Sequence, residues 1–109
     1  MTVKELCESL GLDIARLPAP DKEITGVYIG DLLSHALSKA EAGNVWITIM
    51  SNVNVTAVAT LKDVGCILLA DGVALDTDME EAASQKGVNV LKTNSSAYGI
   101  AKKISGILG

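Results

Sequence analysis

Two apolar runs dominate the hydropathy pattern of this chain: VWITIM at residues 45–50, interrupted only by Thr48, and CILLA at residues 66–70. Runs of this length without polar alternation are what strands covered on both faces require. A third, VNVL at residues 88–91, predicts another strand. Between them the apolar positions recur at helical spacing. Residues 53–63 predict a helix stopped by Gly65, and residues 77–86 predict one that opens on a capping box, Thr77-Asp78-Met79-Glu80, and ends at Gly87. Asn94 or Ser95 is expected to cap a last helix with Ala97, Ile100, Ala101, Ile104, Ile107 and Leu108 on one stripe.

The first 44 residues are more broken. Thr2-Val3-Lys4-Glu5 fits a capping box, Val3, Leu6, Cys7 and Leu10 follow at helical spacing, and Gly11 is the natural stop. Residues 12–22 hold both prolines, Pro18 and Pro20, and read as irregular. Residues 23–29 predict a short strand around Ile24 and Val27. Asp31 is expected to cap a helix with Leu33, Ala36, Leu37 and Ala40 on its apolar face, broken at Gly43-Asn44. From residue 45 onward strand and helix alternate three times. Short connections and right-handed crossovers then predict an α/β fold: three layers, α/β/α, around a mainly parallel sheet of about four strands. At 109 residues the chain is expected to form a single domain over 1–109.

Composition narrows the function classes. Apolar residues make up 49% and charged residues 20%, as in folded proteins, and with no Phe the core must be built from Val, Ile, Leu and Ala. The net charge of −4 and the lack of a Lys/Arg cluster argue against a nucleic-acid partner. The start of the chain resembles the first helix of a helix-turn-helix unit, but two prolines stand where the second helix should follow. No run reaches the ~20 apolar residues of a membrane span, and Met1 leads into a charged amphipathic segment, so a cytoplasmic location is expected. Cys7 and Cys66 each lie in an apolar pattern and read as buried thiols. With one histidine, His35, on the exposed side of its helix, neither a metal site nor a cofactor is called for.

In open α/β sheets ligands collect beyond the carboxyl ends of the strands. Three such ends are polar: Ser51-Asn52-Val53-Asn54, Asp71-Gly72 and Thr93-Asn94-Ser95-Ser96. Each opens or precedes a helix, whose free N–H groups favour anions. The candidate ligand-binding residues are therefore Ser51, Asn52, Asn54, Asp71, Gly72, Thr93, Asn94 and Ser95, and a nucleotide or another anion is the ligand expected there. The same residue types are also the preferred helix caps and turn formers. There is no Walker-type loop, no GxGxxG after a strand and no nucleophile paired with a base, so no catalytic residues are assigned and the chain does not read as an enzyme.

With these residues in hand, the chain resembles the DRTGG domain family along almost its whole length. TVKELCESLGLDI and KEITGVYIGDLLSHAL are similar to the start of the amino-terminal region of HPr kinase/phosphorylase, which shares that fold, and residues 45–96 resemble the DRTGG core. Ser51-Asn52 stands where the family carries Asp-Arg, and Ala70-Asp71-Gly72 where it carries Thr-Gly-Gly, so only Gly72 is retained. VWITIMSNVNVTAVATLK looks closest to the small stand-alone members encoded near iron-only hydrogenase subunits. The resemblance implies a non-catalytic regulatory or adaptor module that self-associates as a homodimer and serves an enzyme such as a hydrogenase. Through the related UDP-binding domain of Mur ligases, it also implies that a nucleotide pocket is conceivable.

Overall fold

The computed structural model describes residues 1–108. Its elements are α1 (Val3–Leu10), β1 (Asp13–Arg16), β2 (Gly26–Ile29), α2 (Leu33–Lys39), β3 (Asn44–Thr48), α3 (Val53–Lys62), β4 (Cys66–Leu69), α4 (Thr77–Lys86), β5 (Val90–Lys92) and α5 (Ala97–Leu108). They form one five-stranded sheet in the order β1-β5-β4-β3-β2. β2 through β5 are parallel, and β1 runs antiparallel to β5 with a register shift between Ile14 and Arg16. The sheet has one strand more than the apolar runs predict, because β1 lies inside the segment expected to be irregular.

The central strands are covered on both faces, and every residue of β3 and β4 is buried. Val45, Ile47, Cys66, Leu68, Ala70 and Leu91 face Val3, Leu6 and Cys7 of α1 and Ile100 and Ile104 of α5. On the opposite face Trp46, Ile67, Leu69 and Val90 meet Ala36 and Ala40, Val55, Val58 and Ala59 of α3, and Met79 and Ala83 of α4. This is the three-layer arrangement expected, but its helices are unequally divided. The crossovers β2-α2-β3, β3-α3-β4 and β4-α4-β5 step in one direction, so right-handedness puts all three of their helices on one face. Only α1 and α5 cover the other.

Local chemistry accounts for most element ends. Thr2 and Glu5 form the expected capping box: Thr2 Oγ1 accepts from Glu5 N (3.2 Å), and Glu5 Oε1 accepts from Thr2 N (2.9 Å). The backbone hydrogen bond from Thr2, more than that from its side chain, lowers the Glu5 pKa. Gly11 and Gly87 close α1 and α4 in the left-handed conformation.

Several predicted ends are corrected. α3 stops at Asp63, itself left-handed at φ 52°, and not at Gly65. Gly65 packs so tightly on the 43–44 turn that a Cβ would lie 2.8 Å from the Gly43 carbonyl. α4 is capped by Asp76, which accepts from Met79 N at 3.0 Å, one residue before the predicted Thr77. For α5 it is Ser96, not Asn94 or Ser95, whose hydroxyl accepts from Gly99 N (3.0 Å). α2 has no side-chain cap, since Asp31 is engaged elsewhere, and Leu37, expected on its buried face, is 43% exposed. Ile107 and Leu108 likewise extend the α5 stripe beyond the core and are exposed.

The loop that carries both prolines is held by one buried side chain. Asn89 Nδ2 donates to Ala19 O (2.7 Å) and Gly65 O (2.9 Å), while its Oδ1 accepts from Ala19 N (2.9 Å). Replacing it strands backbone groups in the interior, which costs about 1–3 kcal/mol on top of the lost bonds. Asn89→Ala is expected to lower unfolding free energy by roughly 3 kcal/mol, read as a lower urea midpoint at unchanged slope.

Candidate functional site

The carboxyl ends of the four parallel strands meet at one pole, and backbone hydrogen bonds knit them together. After β4, Asp71 and Gly72 both have positive φ (58° and 65°), and Val73 N returns to Ala70 O at 3.3 Å, the pattern of a type I′ turn. Asp and Gly suit that turn because both tolerate the left-handed region. The turn is fixed to the segment after β5, since Asp71 N donates to Ser95 O (2.8 Å) and Gly72 N to Thr93 O (3.0 Å). After β3, Ser51 Oγ accepts from Asp76 N (2.7 Å), tying that end to the start of α4. The three predicted strand ends therefore lie on one continuous rim.

Within that rim several candidate side chains are occupied by their own backbone. Asn52 is the cap of α3, its Oδ1 accepting from Asn54 N (2.9 Å), and Thr93 Oγ1 accepts from Ser95 N (3.1 Å). Ser51 is bound as described. Asn54, Asp71 and Asn94 stand exposed, Gly72 contributes only backbone, and Ser95 is half-buried. Strand order adds no crevice here. Ligand clefts of open sheets form where the order of parallel strands reverses, and β5-β4-β3-β2 runs without reversal.

One residue at this pole was missed as a structural centre. Asp31, just after β2, accepts from Thr48 Oγ1 (2.8 Å) and Ile49 N (2.9 Å), joining the ends of β2 and β3. The clue in the sequence was Thr48, the one polar interruption in the longest apolar run; it is buried and needs a partner. Beside it, Trp46 donates its indole N–H to Gly30 O (3.0 Å). The Tyr28 ring occupies the space a side chain at residue 30 would need, for a Cβ there would lie 2.5 Å from Tyr28 Oη. That hydroxyl is buried without a partner among the described residues, and the ring meets exposed His35 edge-on at 6.2 Å between centroids.

The opposite pole holds a shallow cavity of about 240 Å³ lined by Lys22, Glu23, Thr25, Ala42, Gly43 and Asp63. Its one cation is already used, because Lys22 Nζ pairs with the Asp63 carboxylate and donates to Val64 O (3.0 Å). Both thiols are buried as expected. Burial pushes the pKa of each upward, most strongly at fully enclosed Cys66, so both stay protonated at neutral pH and are poor nucleophiles.

No protein-family model matches the chain, and no curated protein matches it. Three chains among solved structures do. One comprises the CBS and DRTGG domains of the regulatory region of Clostridium perfringens pyrophosphatase, complexed with its activator diadenosine tetraphosphate. It superposes with a TM-score of 0.69 over 93% of this chain and 44% of that one, at 13% sequence identity. The chain thus spans less than half of that structure, and at such identity the likeness concerns the fold. The fold is DRTGG-like, as the resemblance implied.

The rim makes Gly72 the sensitive position. Its φ is +65°, and a Cβ would lie 3.0 Å from Asn94 Oδ1. Gly72→Ala is expected to cost about 1–2 kcal/mol through backbone strain, measured by thermal denaturation, and to loosen residues 93–95 in amide exchange.

Proposed function

We propose that residues 1–109 act as one non-catalytic regulatory or adaptor module of DRTGG type, cytoplasmic and self-associating, that serves a metabolic enzyme. The observation that carries this reading is the superposition of 93% of the chain on part of an enzyme's regulatory region. The rim adds support, since Ser51, Asn52 and Thr93 each accept a hydrogen bond from a backbone N–H of the fold. The resemblance of residues 45–62 to hydrogenase-associated members makes a hydrogenase subunit the first enzyme to try. Light scattering on the purified chain should give twice its 11.3 kDa mass, and adding it to the partner enzyme should change turnover. A strict monomer at micromolar concentration counts against self-association, and turnover unchanged by a saturating excess counts against the regulatory role.

A second reading, a sensor for a nucleotide or similar anion, is favoured by one observation. The loops after β3, β4 and β5 are linked into one rim on which Asn54, Asp71 and Asn94 are exposed. The related pyrophosphatase region was crystallised with a dinucleotide activator. Thermal-shift titration with ATP, UDP and diadenosine tetraphosphate tests it. A ligand at about 100 times its Kd adds about 2.7 kcal/mol, and Asp71→Ala or Asn94→Ala should reduce the shift. The absence of any shift across the three ligands removes this reading.

A further inference from the structure

The three crossover helices share one face of the sheet, and α3 is the middle one, packed between α2 and α4. Its buried side chains are Val55, Thr56, Val58 and Ala59. Its exposed ones are Val53, Asn54, Ala57, Thr60 and Leu61. Among the described residues it is the only helix without a fully exposed charged side chain, its one charged residue being half-buried Lys62 in the last turn. α1 exposes Lys4, Glu5 and Glu8, α2 exposes Lys39, α4 exposes Asp78, Glu81 and Lys86, and α5 exposes Lys102 and Lys103. Val53 (47% exposed), Ala57 and Leu61 (75% exposed) stand at i, i+4 and i+8, directly opposite the buried face. Leu37 of the neighbouring α2 is also exposed, at 43%.

We infer that this stripe is the contact between two copies of the chain, with α3 packed antiparallel on its partner about a two-fold axis at Ala57. The inference rests on the self-association in the reading above and names the surface that performs it. Three arguments select a second copy over another occupant. The stripe reads large-small-large in both directions, so an antiparallel copy sets Val53 against Leu61 and the two Ala57 methyls against each other. A small residue at the crossing lets the helix axes approach to about 8 Å, while Val53 and Leu61 reach across from about 6 Å on either side along the axis. Second, each copy carries a net charge of −4, and a two-fold contact brings every residue near its own counterpart. A stripe without charged residues can do this without opposing like charges or desolvating an ion, since Lys62, the one charged residue of α3, lies off the stripe. Third, the antiparallel arrangement aligns the two helix dipoles favourably.

Another apolar surface competes for this role. β2 is an edge strand, and its Val27 and Ile29 are exposed on the face shared with α5.

Charge swapping at the axis separates these cases. Ala57→Glu alone should be monomeric in light scattering at concentrations where the unmodified chain is dimeric, because two carboxylates would face each other. Ala57→Lys alone should behave the same way. An equimolar mixture of the two should recover a dimer, at least tenfold tighter than either variant with itself. Residue 57 is exposed on a helix, and circular dichroism should show both variants folded. Ala57→Cys should form a disulfide-linked dimer under mild oxidation, since a two-fold at this position brings the Cα atoms within reach of about 7 Å, whereas Glu81→Cys on α4 should not. If the Glu and Lys variants both stay dimeric, or if Ile29→Lys is the change that yields monomers, the α3 contact is wrong while self-association stands. If the unmodified chain is itself a monomer, both fall.

Discussion

Everything in this structure depends on the complete enclosure of β3 and β4. A parallel strand in mid-sheet presents side chains to two helical layers at once, and each of its residues must be apolar or individually satisfied. The nine residues of these two strands meet that condition with Asn44 and Thr48 as their only polar members. The layers above and below must then supply apolar surface at close range. Ala36, Ala40, Ala59 and Ala83 do so on the three-helix face, where small side chains let helices settle onto the sheet around Trp46. On the other face α1 and α5 supply Leu, Val and Ile.

Three buried polar side chains lie at the ends of this enclosed slab, and each is used to join elements distant in sequence. Asn44 accepts from Glu41 N and donates to Thr25, so it closes the turn before β3 onto the approach to β2. Thr48 is held by Asp31 at the other end of the same strand. Asn89 joins the loop before β2 to the start of β4. A buried amide or hydroxyl is costly unless bonded, so these positions specify which loops belong together. The apolar layers alone would tolerate several arrangements.

The sequence makes the slab legible and its margins much less so. β3 and β4 stand out because two-sided burial demands unbroken apolar runs, and α1, α4 and Gly87 are marked by residues with strong local preferences. β1 escapes for the opposite reason. It is a four-residue edge strand, Asp-Ile-Ala-Arg, with Asp13 and Ile14 exposed, and only its pairing to β5 makes it a strand. Asp31 looks like a helix cap until the buried hydroxyl of Thr48 claims it. Ser96 and Asp76 each win a helix end from a neighbour of similar intrinsic preference, and Asp63 adopts the left-handed stop expected at Gly65, which is packed against the 43–44 turn. Parallel strand direction is what brings the three polar strand ends to one pole. Whether a side chain such as Asn52 is free or already bonded was not readable from residue type.

The strand order carries a consequence for how the chain is made. β1 is the first strand to be synthesised, yet it pairs only with β5, the last. Residues 13–16 can therefore find their place only after residues 90–92 have left the ribosome, whereas β2, β3 and β4 can assemble stepwise through local crossovers. Until then the growing sheet ends at β4, an apolar strand with an open edge and unpaired backbone groups. Such an edge is prone to wrong pairings during synthesis. β5 covers that edge, and β1 then docks on β5, so the strand that emerges before the other four is the last to be placed.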